Sequence, residues 1–191
     1  MVITDWSRHD CVERVAAAVA GETEVAVQHR HPGASDRVLY DEGLRLRAAL
    51  GQVPMFVNGR VDLAVALGAH LHLREDSLGV EEVRPLMRGR WISASWHAGT
   101  PPRAVDLLLL SPVFAPNSKP TEMAPLGPTE FDRRARSLTT PVFALGGVDA
   151  TRAATLEHAA GLAAIGGVLA AADPKQAVSA LLAAHRRGPS R

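Results

Sequence analysis

Short apolar runs alternate with longer amphipathic segments along the whole chain. Such runs, bounded by glycine, proline or polar residues, are typical of buried strands. The pattern predicts strands at residues 2–4, 24–28, 54–57, 69–73, 91–94, 106–110, 141–145 and 162–165. It predicts helices at residues 10–20, 35–50, 60–67, 80–87, 129–137, 150–159 and 174–187. This alternation implies parallel strand pairing with right-handed crossovers.

The number of predicted strands decides the fold class. Eight strands that alternate with helices close a (β/α)8 barrel, so we predict an α/β protein with a single TIM-barrel domain over residues 1–191. One crossover is too short for a full helix, because only eight residues, including Pro101 and Pro102, separate His97 from Asp106. We therefore expect a shortened or missing helix after strand 5. Residues 186–191 are predicted to form a disordered tail.

Composition and charge narrow the class of protein. With 47% apolar and 21% charged residues, the chain has the composition of a globular protein with a sizeable core. A formal net charge of +1 lacks the basic excess of a nucleic-acid-binding surface. Cys11 is the only cysteine, so no intramolecular disulfide can form and we expect a cytoplasmic location. The polar start does not resemble a signal peptide, and the most apolar window, residues 159–172, is too short to span a membrane.

Two glycine pairs end the last two predicted strands. Gly146-Gly147 follows strand 7, and Gly166-Gly167 follows strand 8. Backbone N–H groups at such strand–helix junctions are free to bind an anion, and these two loops are the usual phosphate site of the barrel. Glycines at the same positions also permit tight turns. The first interpretation predicts a phosphorylated ligand, and the second predicts only a turn.

Polar residues gather at the carboxyl ends of the strands, where this fold places its chemistry. The candidate ligand-binding and catalytic residues are Gln28, Arg30, Asn58, His72, Ser95, His97, Ser118 and Lys119. His97 near Ser95 favours an acid–base role, because imidazole titrates near neutral pH, but a loop-capping role is also compatible. His70 and His72 lie on the same face of their strand. They are either a pair of metal ligands or hydrogen-bonded histidines of the barrel interior. Asp76 is either a metal ligand or a helix cap.

These residues resemble the family of thiamine-phosphate synthases and TenI proteins, over about residues 25–172. The resemblance rests on the order and spacing of residues 54–73, Ser95-Trp96-His97, Ser111-Pro112-Val113-Phe114, Ser118-Lys119-Pro120, Pro125-Leu126-Gly127 and Ala144-Leu145-Gly146-Gly147-Val148. It implies a phosphorylated thiazole as ligand. The synthases of this family join the thiazole to a pyrimidine pyrophosphate with Mg²⁺ and release pyrophosphate. The TenI branch instead moves a proton on a thiazole carboxylate phosphate, with a histidine and without a metal.

Departures from the synthase pattern separate the two branches. The resemblance implies a lysine at the end of strand 2, where this chain has Pro32. It implies a Mg²⁺-binding aspartate after the strand-3 asparagine, but Gly59 follows Asn58. The threonine-containing loop of the synthases is reduced at residues 115–119. Losing such groups should remove several kcal/mol of stabilisation from the departing pyrophosphate, since single donor deletions cost about 3–4 kcal/mol.

We therefore predict a TenI-like thiazole tautomerase in which His97 is the catalytic acid–base residue. A Mg²⁺-dependent thiamine-phosphate synthase is the alternative, with His29, His31 or Arg74 compensating for the missing lysine. A non-catalytic protein that binds a phosphorylated ligand is the third hypothesis. We expect no required cofactor, Mg²⁺ only if the synthase hypothesis holds, and a phosphorylated thiazole or thiamine phosphate as ligand. A homodimer is one option for the oligomeric state, and neither nucleic acid nor a membrane is an expected partner.

Overall fold

The computed structural model describes residues 1–97, 99–115 and 123–187, in which parallel strands form a barrel. The strands are β1 (Val2–Ile3), β2 (Val27–His29), β3 (Met55–Asn58), β4 (His70–Leu73), β5 (Ile92–Trp96), β6 (Leu107–Leu110), β7 (Val142–Leu145) and β8 (Gly161–Ala163). They pair in chain order, and every neighbouring pair is parallel. The Ile3 N–H donates to the Ala164 carbonyl at 2.9 Å, which joins β1 to the segment after β8. The predicted (β/α)8 barrel is confirmed.

The described helices cover the outside of the barrel. They are α1 (Cys11–Val19), α2 (Asp36–Leu50), α3 (Val61–Ala66), α4 (Val80–Met87), α5 (Gly127–Arg136), α6 (Ala150–Ala153), α7 (Gly166–Leu169) and α8 (Pro174–Arg186). Among the described residues between β5 and β6 there is no helix, which confirms the missing helix expected after strand 5. Within the described ranges, no helix is long and apolar enough to cross a membrane.

The helix predicted over residues 150–159 is wrong in its length. The backbone N–H groups of Glu157 and His158 donate to the Asp132 carboxylate of α5 at 3.2 and 2.8 Å. Because this tertiary acceptor takes the place of helical carbonyls, α6 ends at Ala153. At the other end of the chain α8 extends through Arg186, so the first residue of the predicted tail is helical. Residues 188–191 of that tail lie outside the described residues.

The apolar core has two parts, one on each face of the sheet. The larger part packs the sheet against the helices. The smaller part fills the barrel interior with Ile3, Phe56, Leu107, Leu109 and Ala163. Since successive side chains of a strand point to opposite faces, the residues that share a face with these five also point into the barrel. This alternation places the polar residues of β2 to β5 in the interior, except His29, which faces α2.

Candidate active site

The barrel interior has a polar side, made by β2 to β5. Asn58 shares the interior face of β3 with Phe56, and the register pairs Asn58 with His72 and His72 with Ser93. Gln28 pairs with Phe56 from β2 and is only 2% exposed. Its Nε2 has no hydrogen-bond partner within the described residues. Because an unpaired buried donor is costly, an acceptor placed at this amide would be stabilising.

His72 is buried and held between two serines of β5. Its Nδ1 lies 2.9 Å from Ser93 Oγ, and its Nε2 lies 3.0 Å from Ser95 Oγ. Ser93 Oγ donates to the Leu71 carbonyl at 3.3 Å, so it accepts from the Nδ1–H of His72, and Nε2 accepts from Ser95. Burial, followed by the charge of Arg30, lowers the pKa of His72 to about 3. His72 thus matches the interior, hydrogen-bonded alternative, and it supports Ser95 rather than reaching the cavity.

A cavity of about 610 Å³ opens at the carboxyl ends of β2 to β5. It is lined by Arg30, Asn58, Arg74, Glu75, Asp76, Ser95 and His97. We call it the mouth cavity. Thr4 fixes the backbone of Arg30, because its Oγ1 accepts the Arg30 N–H at 2.9 Å and donates to the Arg30 carbonyl at 3.0 Å. The structure therefore brings together four residues chosen from the sequence: Arg30, Asn58, Ser95 and His97.

His97 is oriented by Ser111 and not by Ser95. Its Nδ1 donates to the Ser111 carbonyl at 2.9 Å, and Ser111 Oγ lies 3.3 Å from the same nitrogen. In the neutral ring this contact places the proton on Nδ1 and the lone pair on Nε2. Ser95 donates its hydrogen bond to His72 and not to this ring. In that tautomer Nε2, in the wall of the mouth cavity, can act as a hydrogen-bond acceptor or as a base.

Two other histidines near the end of β2 hydrogen-bond to α2. His29 Nε2 donates to the Leu39 carbonyl at 2.9 Å, and His31 Nδ1 lies 2.9 Å from the Glu42 carboxylate. Burial lowers the pKa of His29 and raises the pKa of Glu42. Neither ring lines the mouth cavity, whereas Arg74 does. Of the three residues considered as substitutes for the missing lysine, Arg74 is the one placed to act.

The two glycine pairs line a second cavity of about 320 Å³ at the carboxyl ends of β7 and β8. We call it the glycine cavity. Gly147 has φ +59°, and a Cβ there would lie 2.4 Å from the Ala115 carbonyl oxygen, so this pair is required by turn geometry and close packing. A Cβ on Gly166 would meet nothing within 4 Å. The N–H groups of Gly166 and Gly167, in the first turn of α7, have no acceptor in the described part of the chain.

Some site residues lie beyond the structural description, and others were missed from sequence. Ser118 and Lys119 fall outside the described residues, so their roles stay predictions. The sequence reasoning did not select Ser93, Ser111 or Arg152. Arg152 Nη1 donates to the Gly147 carbonyl at 2.7 Å and adds a positive charge beside the glycine cavity. Ser111 belongs to one of the motifs that carry the family resemblance but was not chosen as a site residue, whereas no motif marks Ser93 or Arg152. Only the register of β4 to β7 could have pointed to a role for the two serines.

The residues present do not fit a magnesium site. Asp76, the predicted candidate ligand, has both oxygens engaged by Arg74, with Nε at 2.9 Å and Nη2 at 2.8 Å. Gly59 supplies no side chain at the position where the resemblance implied a second carboxylate. His70, the other metal candidate, accepts the Trp91 N–H at 3.0 Å. Among the described residues, no group of three or more His, Cys, Asp or Glu side chains is placed to hold a metal.

The fold and the two cavities define a parallel (β/α)8 barrel with a polar, enzyme-like site at the carboxyl ends of its strands. The sequence model of the family described as thiamine monophosphate synthase matches residues 1–168, and the chain belongs to this family. The resemblance seen in the sequence motifs is confirmed.

Individual relatives agree with the family match. The chain is 33% identical to a thiamine-phosphate synthase of Chloroflexus aurantiacus, over 88% of this chain and 82% of that protein. It is 34% identical to a thiamine-phosphate synthase of Anaeromyxobacter dehalogenans, over 94% of this chain and 85% of that protein. The solved thiamine phosphate pyrophosphorylase from Pyrococcus furiosus superposes with a TM-score of 0.82 and 26% identity, covering 97% of this chain and 94% of that chain.

Proposed function

We propose that the protein is a transferase that joins a phosphorylated thiazole to a pyrimidine pyrophosphate and releases pyrophosphate. The convergence of Arg30, Asn58, Ser95 and His97 on the mouth cavity carries this proposal. The relatives that bear the synthase name support it, and they favour this branch over the tautomerase predicted first from the sequence.

The two cavities suit the two anionic parts of the substrates. The N–H groups of Gly166 and Gly167, which have no acceptor among the described residues, line the glycine cavity beside the Arg152 guanidinium and would bind the thiazole phosphate. Arg30 in the mouth cavity would bind the pyrophosphate, because guanidinium groups pair well with phosphate oxygens. Lys119, which follows β6 in the sequence and lies outside the described residues, would add a further cation.

The chemistry assigned to the chain is stabilisation of charge and placement of the ligand. Negative charge develops on the pyrophosphate as its bond to the pyrimidine carbon breaks, and the fixed charge of Arg30 opposes that development. The Ser95 hydroxyl donates its hydrogen bond to His72, so the Ser95 oxygen faces the ligand as an acceptor. The Gln28 amide, whose Nε2 has no partner in the described part of the chain, lies deeper on β2 and would hold a polar edge of the ring that enters the barrel.

A proton shift on a thiazole carboxylate phosphate is the second candidate function. The hydrogen bond from His97 Nδ1 to the Ser111 carbonyl favours this proton shift, because in the neutral ring it leaves Nε2 as the base. The poor fit of the site to Mg²⁺ also favours it, because tautomer exchange makes no demand on a metal.

Product analysis separates these functions. The full-length protein is incubated with both synthase substrates, with each substrate alone, and with the thiazole carboxylate phosphate alone in deuterated buffer. Thiamine phosphate and pyrophosphate in equal amounts, formed only when both substrates are present, are the expected result. Isomerisation or deuterium incorporation without condensation would replace the proposal with the tautomerase. Saturable ligand binding without either reaction would identify a binding protein.

A further inference from the structure

The Arg74 side chain occupies the space that a side chain at position 59 would need. Gly59 has φ +71°, and a Cβ built there lies 3.0 Å from Arg74 Nε and 3.1 Å from Arg74 Cδ. The Gly59 N–H donates to the His72 carbonyl at 2.7 Å, which fixes this turn against β4. The two positions are therefore coupled, since a larger residue at 59 would force the Arg74 side chain to shift.

Asp76 anchors the Arg74 guanidinium, and further hydrogen bonds hold the Arg74 backbone at its N–H and at its carbonyl. Nε and Nη2 donate to the two carboxylate oxygens of Asp76 at 2.9 and 2.8 Å. The Arg74 N–H donates to Ser77 Oγ at 2.9 Å, and the Arg74 carbonyl accepts from Arg103 Nη1 at 3.0 Å. Beyond this bidentate pair, Nη1 and the second hydrogen of Nη2 have no acceptor among the described residues. Arg74 thus has further donors for a ligand in the mouth cavity that it lines.

We propose that the Arg74–Asp76 pair replaces a divalent metal in this site, and that Arg74 binds pyrophosphate oxygens directly. The Asp76 carboxylate, which a metal would need as a ligand, instead orients the Arg74 guanidinium. Arg30, in the wall of the same cavity, supplies a second guanidinium. A guanidinium matches phosphate geometry through paired N–H donors, so the two arginines can hold the anion without Mg²⁺. This inference deepens the proposed function and rests on it for the identity of the anion.

Glu75 and Asp76 also line the mouth cavity, and their carboxylates are the ligands of the alternative arrangement, in which Mg²⁺ binds. In that case Mg²⁺ would displace Arg74, bind these carboxylates, and bring the pyrophosphate with it. The two arrangements differ in a measurable way, because the first binds pyrophosphate in a chelating buffer and the second does not.

Calorimetric titration with inorganic pyrophosphate tests the inference without any turnover. The full-length protein should bind pyrophosphate saturably in EDTA, and Arg74→Gln should weaken this binding about ten-fold or more, as expected for loss of charge-assisted hydrogen bonds. Arg186→Gln is the matched control, because Arg186 is also an exposed arginine paired with a carboxylate, Glu24, but lies at the opposite end of the barrel. Binding that requires Mg²⁺, or equal binding by Arg74→Gln and the parent, would overturn the inference.

A reciprocal variant restores a carboxylate pair. In Gly59→Asp combined with Arg74→Ala, the new aspartate faces Asp76 without the guanidinium, and aspartate tolerates a left-handed backbone better than most residues. We expect this variant to lose binding in EDTA and to gain Mg²⁺-dependent binding of pyrophosphate. Metal-free binding that persists would contradict the inference, and Arg74→Gln alone provides the test if the double variant does not fold. Failure to form thiamine phosphate, with metal-free pyrophosphate binding intact, would overturn the proposed transferase and leave the Arg74 site standing.

Discussion

Ser95 Oγ donates a hydrogen bond of 3.0 Å to Nε2 of the buried His72. The opposite ring nitrogen is held by Ser93 at 2.9 Å, so the imidazole is fixed in one tautomer between two residues of the neighbouring strand. The contact with His72 Nε2 points the Ser95 hydroxyl hydrogen towards the imidazole and away from the mouth cavity. The serine oxygen consequently meets a ligand in the mouth cavity as an acceptor.

The buried His72 should make the stability of the protein depend on pH. Its folded pKa of about 3 lies below the ordinary value of 6.5, so the unfolded state binds the extra proton between these pH values. The contribution of His72 is therefore fully present above pH 6.5 and is lost as pH falls towards 3, with a slope of at most about 1.4 kcal/mol per pH unit. Urea unfolding of the parent and of His72→Gln at pH 7, 6 and 5 measures it.

The free energy of unfolding of His72→Gln should fall less steeply with acid than that of the parent. His9→Gln is the control, because His9 is exposed and its loss changes the histidine count equally. Parallel pH curves for the parent and His72→Gln would show that His72 is not held neutral by its surroundings.

His97→Gln tests the role of Nε2 of His97. If His97 transfers a proton, turnover should fall by about 10²–10⁴, because the general base is lost while ligand contacts remain. Affinity for thiazole phosphate, measured by calorimetry, should stay within a few-fold, and the pH dependence of kcat should lose its histidine limb. Unchanged turnover would remove His97 from the mechanism and leave it as a residue of the cavity wall.

Gly147 and Gly166 should respond differently to alanine. In Gly147→Ala the new Cβ would lie 2.4 Å from the Ala115 carbonyl oxygen at a positive φ, so we expect a clear loss of thermal stability. In Gly166→Ala the Cβ enters open space, so stability should be kept. If phosphate occupies the glycine cavity, Gly166→Ala should weaken binding of inorganic phosphate. Unchanged phosphate affinity in this folded variant would place the anion elsewhere.

Gly161 makes room for an aromatic ring inside the barrel. A Cβ at this position would lie 2.5 Å from Cζ of Phe143, so Gly161→Ala should destabilise the fold by about 1–3 kcal/mol through overpacking. Phe143→Leu removes the ring atoms that clash. Combining the two substitutions should cost less than the sum of their separate effects, as measured by a double-mutant cycle in urea. Additive costs would show that the ring moves aside freely.

Much of the fold was predictable because burial leaves a periodic pattern in the sequence. Eight apolar runs in alternation with helices defined the barrel, and the short connection before Asp106 revealed the missing helix. Parallel strands bring their carboxyl ends to one edge, so Arg30, Asn58, Ser95 and His97 could be grouped before their positions were known. The length of α6 was not predictable, since the Asp132 carboxylate that caps the following turn belongs to another helix.

The sequence by itself determined the barrel, its family and the end at which its polar residues meet, since each depends on local periodicity and motif order. Only the tertiary structure decided which partner each polar group has. Ser111 rather than Ser95 orients His97, α2 engages His29 and His31, and Arg74 fills the space beside Gly59. These contacts join residues of different elements and connections, and they follow from strand register and from the need to pair buried polar groups.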